Sequence, residues 1–167
     1  ESNWARLREQ QLRLHSIHNT AMVVAIDIGE WNDIHPLNKK DVGLRLSFAA
    51  ANVAYGRRNI DYKGPVYQSA VIKGNTISLS FTNTGNSLRI KGDINNRQFA
   101  IAGANKQFVW ASAKVTGNKV IVWNDELQHP LYVRYSWADN PGSPCLYNQQ
   151  GFPASPFRTD TISGHDK

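Results

Sequence analysis

The chain has 167 residues, 19 of them Lys or Arg and 13 Asp or Glu, for a formal charge of +6. Hydrophobic residues make up 41% and charged residues 19%, which excludes a disordered chain or a coiled coil and leaves enough apolar material for a real core. No apolar run approaches the roughly 18 residues of a membrane helix. The basic residues are dispersed, Lys39-Lys40 and Arg57-Arg58 being the densest groups, so neither a membrane nor nucleic acid is expected as a partner.

Glu1-Ser2-Asn3-Trp4 has neither a basic n-region nor an apolar h-region, so no signal peptide is visible. From Trp4 to about Ile17, the residues Trp4, Leu7, Leu14 and Ile17 recur as on one helix face, and Glu9 precedes Arg13 by four residues. Asn19-Thr20 ends that segment. Ala21 to Ile26 is uniformly apolar, the pattern of a strand covered on both faces in a parallel sheet. Asp27 to Pro36 follows as a polar loop. A second helix is expected from Asn38, a good N-cap with Asp41 three residues on, burying Val42, Leu46, Ala49 and Val53 and ending at Gly56.

Helix, buried strand, loop and helix form one αβα piece of a doubly wound fold over residues 1–57. A lone parallel strand needs neighbours, and the sequence offers none of its kind. The piece is therefore expected to be the end of a larger α/β domain, with an unpaired flank that favours aggregation.

Residues 58–160 are expected to form an antiparallel β-sandwich. Its strand candidates are Val66–Ile72, Thr76–Phe81, Ser87–Ile90, Phe99–Ala102, Phe108–Val115, Lys119–Trp123 and Leu131–Trp137. Gly74-Asn75 and Gly117-Asn118 read as hairpin turns. Pro141, Pro144, Pro153 and Pro156 predict an irregular course from Asn140 to Asp160, and 161–167 a flexible tail.

The loop Asp27–Pro36 carries most of the chemical interest. In open α/β sheets, ligands sit at the carboxyl ends of the strands, where this loop must lie. It holds Asp27, Glu30, Asp33, Trp31 and His35. A histidine there with a nearby carboxylate is the general-base half of a hydrolytic triad. The plainer reading is a polar loop in which Asp33 caps a turn and His35 is merely exposed.

The stretch Asp27-Ile28-Gly29-Glu30-Trp31-Asn32-Asp33-Ile34-His35-Pro36-Leu37-Asn38-Lys39-Lys40-Asp41-Val42-Gly43 resembles the histidine block of the sialate O-acetylesterases, which are SGNH-type serine esterases. The likeness extends through Leu7-Arg8-Glu9-Gln10-Gln11, Arg45-Leu46, Ala54-Tyr55-Gly56, Gly64-Pro65-Val66-Tyr67 and Phe99 to Ala104. It continues in Val133 to Pro141 and Ala154 to Thr159, so that it covers nearly the whole chain. The resemblance implies an enzyme that removes acetyl groups from O-acetylated sialic acid or a related acetylated sugar. It also implies an extracellular or periplasmic location, because the family acts on glycans outside the cytoplasm.

In that family a serine attacks the acetyl carbonyl, and the histidine in the position of His35 takes its proton. SGNH enzymes usually carry Asp three residues before His. Here that position is Asn32, which leaves Asp33 as the close acid or a Ser–His dyad as the arrangement. No Gly-Asp-Ser or Gly-x-Ser-x-Gly element occurs. The chain thus resembles the carboxyl-terminal portion of the enzyme, with the nucleophile on an amino-terminal portion as partner, and alone it is expected to be inactive. The competing reading is a non-catalytic carbohydrate-binding or packing module built on the β part.

Arg134 and Arg158 are candidates for a sugar carboxylate, or bridges between strands or domains. Trp110, Trp123, Trp137 and Tyr135 form either a sugar-stacking platform or core. The single Cys145 excludes an internal disulfide and a multi-cysteine zinc site. His15, His18, His129 and His165 lack metal-ligand spacing, so neither a metal nor a cofactor is expected.

Overall fold

The computed structural model describes residues 2–93, 95 and 97–160. The predicted tail at 161–167 lies outside the described residues.

The two Gly-Asn signals both make hairpins. β1 (Val66–Lys73) pairs with β2 (Thr76–Thr82), Lys73 opposite Thr76 across Gly74-Asn75. β6 (Ser112–Thr116) pairs with β7 (Lys119–Trp123), Thr116 opposite Lys119 across Gly117-Asn118. Gly74 and Gly117 adopt φ of 57° and 58°, the left-handed backbone that a two-residue hairpin demands and glycine tolerates. β2 and β7 pair with one another, giving an antiparallel sheet in the order β1-β2-β7-β6. Alternation sends Ile77, Leu79 and Phe81 of β2, and Val120 and Val122 of β7, to one buried face.

A second four-stranded sheet has the order β10-β8-β4-β5, from β4 (Phe99–Ala102), β5 (Val109–Trp110), β8 (Tyr132–Tyr135) and β10 (Phe157–Arg158). A short pair joins β3 (Arg89–Ile90) to β9 (Leu146–Tyr147). Phe99, Ile101, Val133, Tyr135, Leu146 and Phe157 share one apolar cluster with the buried faces of β2 and β7. Burying such a cluster is the main stabilising term of the chain.

The predicted run Phe108–Val115 is two strands. β5 pairs with β4 and β6 with β7, so the chain changes sheet at Ala111, which is buried and donates its N–H to the Phe99 carbonyl at 2.9 Å. A corner of this kind leaves no break in an alternating pattern. The proline-rich stretch after Asn140 is irregular but supplies β9 and β10, each of two residues and too short for a periodic signal.

The helices differ more from expectation. α1 (Asn3–Leu12) ends earlier than predicted, and Arg13–Ser16 forms a tighter 3-10 turn. Its predicted face is the outer one: Trp4, Leu7, Leu14 and Ile17 are all exposed, while Ala5 is buried. Polar ties dock it instead. The Ser2 hydroxyl caps the helix by accepting the Ala5 N–H at 3.0 Å, and donates to Asp139 at 2.6 Å. Arg8 donates to the carbonyls of Ala138 and Asp139, both at 2.9 Å. Glu9 pairs with Arg158 rather than with a neighbour on its own helix.

α2 (Lys39–Val53) starts at the expected cap, the Asn38 side chain accepting the Asp41 N–H at 3.1 Å. Ala49 is buried as expected, but Leu46 is 50% exposed. Phe48, packed edge-on against Phe152 at 6.1 Å, takes the inward role.

Residues 21–26 form no strand and are only half-buried or exposed. The reason is physical. A strand exists through its ladder, and no described segment offers this one a partner. The observed architecture is a mixed α/β chain with two main antiparallel sheets and two α-helices among the described residues.

Candidate active site

The polar loop between residue 26 and α2 is held by its own carboxylates. Asp27 meets Arg45 of α2 through two contacts, at 2.6 and 2.8 Å, with side-chain exposures of 7% and 12%. Arg45 also donates to the Val24 carbonyl, tying down the segment that leads into the loop. The Tyr147 hydroxyl of β9 donates to the second oxygen of Asp27 at 3.2 Å. The Asp27 carboxylate hydrogen bond holds the Arg45 guanidinium above its ordinary pKa, against the opposing effect of burial. Burial, and then the negative charge of Asp27, push the Tyr147 phenol up, so that it keeps its proton and acts as a donor.

Further along, Glu30 accepts the Leu37 N–H at 2.8 Å and closes the loop across its neck. Asp33 accepts the backbone N–H of His35 at 2.7 Å, an Asx-type turn two residues long. His35 is exposed, and among the described residues no hydrogen bond reaches its ring. Beside it Trp31, Ile34 and Leu37 are each more than 80% exposed. The loop therefore presents an imidazole amid large apolar side chains, on a backbone fixed at both ends. An accessible imidazole can accept and return a proton at neutral pH.

The two sequence candidates lie together in this turn, with the Asp33 carboxylate on the main chain of His35. The contribution of Arg45 and Tyr147 was not anticipated. Asp27 and Arg45 lie 18 residues apart and Asp27 and Tyr147 lie 120 apart, spacings that no local pattern encodes.

The other candidates are engaged in holding the chain together. Arg134 binds Asp160 at 2.6 and 3.1 Å, with its guanidinium 4.0 Å from the Phe108 ring centre. Arg158 binds Glu9 with its guanidinium 4.8 Å from the centre of Trp137. Tyr135 is wholly buried core, Trp110 is 53% exposed on β5, and Trp123 lies on β7 of the other sheet. Cys145 is buried. Among the described residues no three His, Cys, Asp or Glu side chains are grouped to hold a metal ion. No described helix is long and apolar enough to cross a membrane.

Comparison with known proteins places similar chains beside these features. No protein-family model matches the chain. A solved carbohydrate acetylesterase from Xanthomonas citri matches it with a TM-score of 0.90 and 43% identity, over 97% of this chain and 37% of that one. The mixed α/β architecture is thus that of a carbohydrate esterase neighbour.

The sialate O-acetylesterase of Mus musculus is 29% identical over 155 residues, covering 83% of this chain. That of Homo sapiens is 28% identical over 166 residues, covering 88%. Over most of its length the chain is thus similar to sialate O-acetylesterases and to a carbohydrate acetylesterase. It spans 28% and 31% of the length of these two relatives.

Proposed function

We propose that this chain is the carboxyl-terminal part of a serine esterase that hydrolyses O-acetyl esters of sialic acid or a related acetylated sugar. It supplies His35 as general base, with Asp33 fixing the turn that presents it. The nucleophilic serine comes from an amino-terminal portion of the same enzyme, and this chain alone is inactive. In this reading residues 1–57 complete an SGNH-type α/β unit, and residues 58–160 form an accessory β-sandwich. The enzyme works outside the cytoplasm, where acetylated glycans are found.

The observation that carries the reading is His35 itself: an exposed imidazole on a loop pinned by three carboxylates, in a chain related to sialate O-acetylesterases. The loop residues Trp31, Ile34 and Leu37, each more than 80% exposed, support a covering partner, since large apolar side chains so open to water mark an interaction surface.

The chemistry follows the serine-esterase sequence. His35 takes the serine proton as the oxygen attacks the acetyl carbonyl. The tetrahedral intermediate collapses, the C–O bond to the sugar breaks, and the imidazolium returns its proton to the departing hydroxyl. Water then attacks the acetyl-serine with His35 accepting its proton, the bond from the acetyl carbon to the serine oxygen breaks, the imidazolium returns the proton to that oxygen, and acetate leaves.

The test is acetate release from 9-O-acetylated sialic acid by the chain combined with its serine-bearing portion. His35→Ala is expected to lower the rate by about a thousandfold or more while leaving folding intact. Retention of most of the activity would show that His35 is not the base.

A further inference from the structure

We propose that Asp27, Arg45 and Tyr147 are positioning residues for His35, so that the β part of the chain sets where the catalytic imidazole stands. The proposal rests on the esterase reading above and adds a mechanism for placing the base.

Its starting point is the cost of the arrangement. Asp27 and Arg45 are 7% and 12% exposed, so two charges have been taken out of water to form this pair. A buried ion pair is seldom more stabilising than a well-packed apolar pair of the same volume. What the pair provides that an apolar contact does not is direction. Two parallel contacts between a carboxylate and a guanidinium fix both distance and angle. They do so at the root of the loop that ends in His35.

The loop is referenced twice to one rigid body. It enters at Asp27, held on Arg45 in the second turn of α2, and leaves through Asn38, which caps the first turn of the same helix. Glu30 spans the neck to Leu37, and the Asp33 turn fixes the His35 main chain. Little freedom is left between Asp27 and the imidazole-bearing residue eight positions on.

Tyr147 connects this unit to the sheets. Its hydroxyl donates to Asp27 Oδ2, an oxygen that Arg45 also contacts, and Lys91 Nζ lies 4.3 Å over its ring. Tyr147 is paired with Arg89 on β3, and the Lys91 N–H donates to the Cys145 carbonyl at 2.9 Å. The line from β3 and β9 through Tyr147 to Asp27 and Arg45 is continuous, and its contacts run to the root of the loop rather than to the imidazole. Such outer residues act on rate through the group they hold, because a displacement of about 1 Å in a catalytic group costs roughly a hundredfold.

The test uses Tyr147→Phe, which removes one hydroxyl and keeps the ring, beside Asp27→Asn. With the serine-bearing portion present and 9-O-acetylated sialic acid as substrate, each is expected to lower kcat by about 10-fold or more, with KM within about twofold of wild type. In this chain alone, the side-chain NMR signals of His35 are expected to shift or broaden in both variants. Should Asp27→Asn fail to fold, Tyr147→Phe decides the matter.

A fall in melting temperature with kcat and the His35 signals unchanged would make the cluster a simple brace and overturn the proposal. Loss of the esterase reading, seen as an active His35→Ala, would remove the catalytic meaning. The His35 signals would still report whether Tyr147 and Asp27 govern the loop.

Discussion

Arg158 on the last strand and Glu9 on the first helix, 149 residues apart, meet through two contacts of 3.0 Å, with the guanidinium lying over Trp137. Their side chains are 8% and 18% exposed, so the charges interact in a medium that screens them far less than water does. Helix α1 offers the sheets little apolar surface, with Trp4 and Leu7 turned outward. Its attachment therefore rests on this pair together with Arg8 and the Ser2–Asp139 cap.

A double-mutant cycle should register that dependence. Glu9→Ala and Arg158→Ala are each expected to destabilise the chain, and the coupling between them to be about 1–2 kcal/mol. Urea unfolding of the two single variants and the double variant measures it. A coupling near zero would mean that α1 is held by contacts other than this pair.

Gly64 makes a second connection between distant segments. A Cβ placed on it would stand 1.9 Å from the Pro153 carbonyl oxygen and 2.6 Å from its carbon, both backbone atoms that no rotamer change can clear. The chain before β1 and the chain before β10 pass one another there with only a hydrogen between them. Gly64→Ala is expected to cost at least about 2 kcal/mol through forced backbone displacement. A fall in melting temperature of about 5 °C or more follows for a chain of this size. By contrast, an added Cβ at Gly43 meets nothing within 4 Å, so Gly43→Ala serves as the control and should leave the melting temperature unlowered. Equal behaviour of the two variants would sink the close-approach argument.

The β part was legible because hairpin turns and alternation are local signals. β4 and β7 have the predicted bounds, and Gly74-Asn75 and Gly117-Asn118 turn where they should. The change of sheet at Ala111 was not legible, since an alternating run says which face is buried but not which neighbour pairs with it. Residues 21–26 show the reverse case. Their apolar run reads as a strand, yet strand formation depends on a partner segment.

On α1 the apolar spacing of Trp4 and Leu7 was real, but the docked side was chosen by ion pairs and capping bonds to residues more than 100 positions away. The candidate site divides in the same way. The Asp33–His35 turn is a two-residue motif visible in sequence, whereas the Asp27–Arg45–Tyr147 cluster exists only once the chain has folded.

Cys145 gives the stability of the chain a predictable alkaline limit. Burial pushes its thiol up to about 11, while hydrogen bonding from Tyr135 works in the other direction. In the unfolded chain a cysteine ionises near pH 8.5–9. Below that both states hold the proton, and the contribution to stability is fully present. Between about pH 9 and 11 the unfolded state releases its proton while the folded state keeps it, so stability falls as pH rises, by at most about 1.4 kcal/mol per pH unit. Tyr135 and Tyr147, both raised by burial, add to the slope above pH 10. The urea midpoint should therefore hold steady from pH 7 to 8.5 and decline from pH 9 onward. Cys145→Ala should flatten the part of the decline that begins at pH 9, although its own midpoint at pH 7 is lower for the lost packing. A midpoint that stays level between pH 9 and 11, or a slope that Cys145→Ala leaves unchanged, would show that the thiol titrates in the folded chain as it does in the unfolded one.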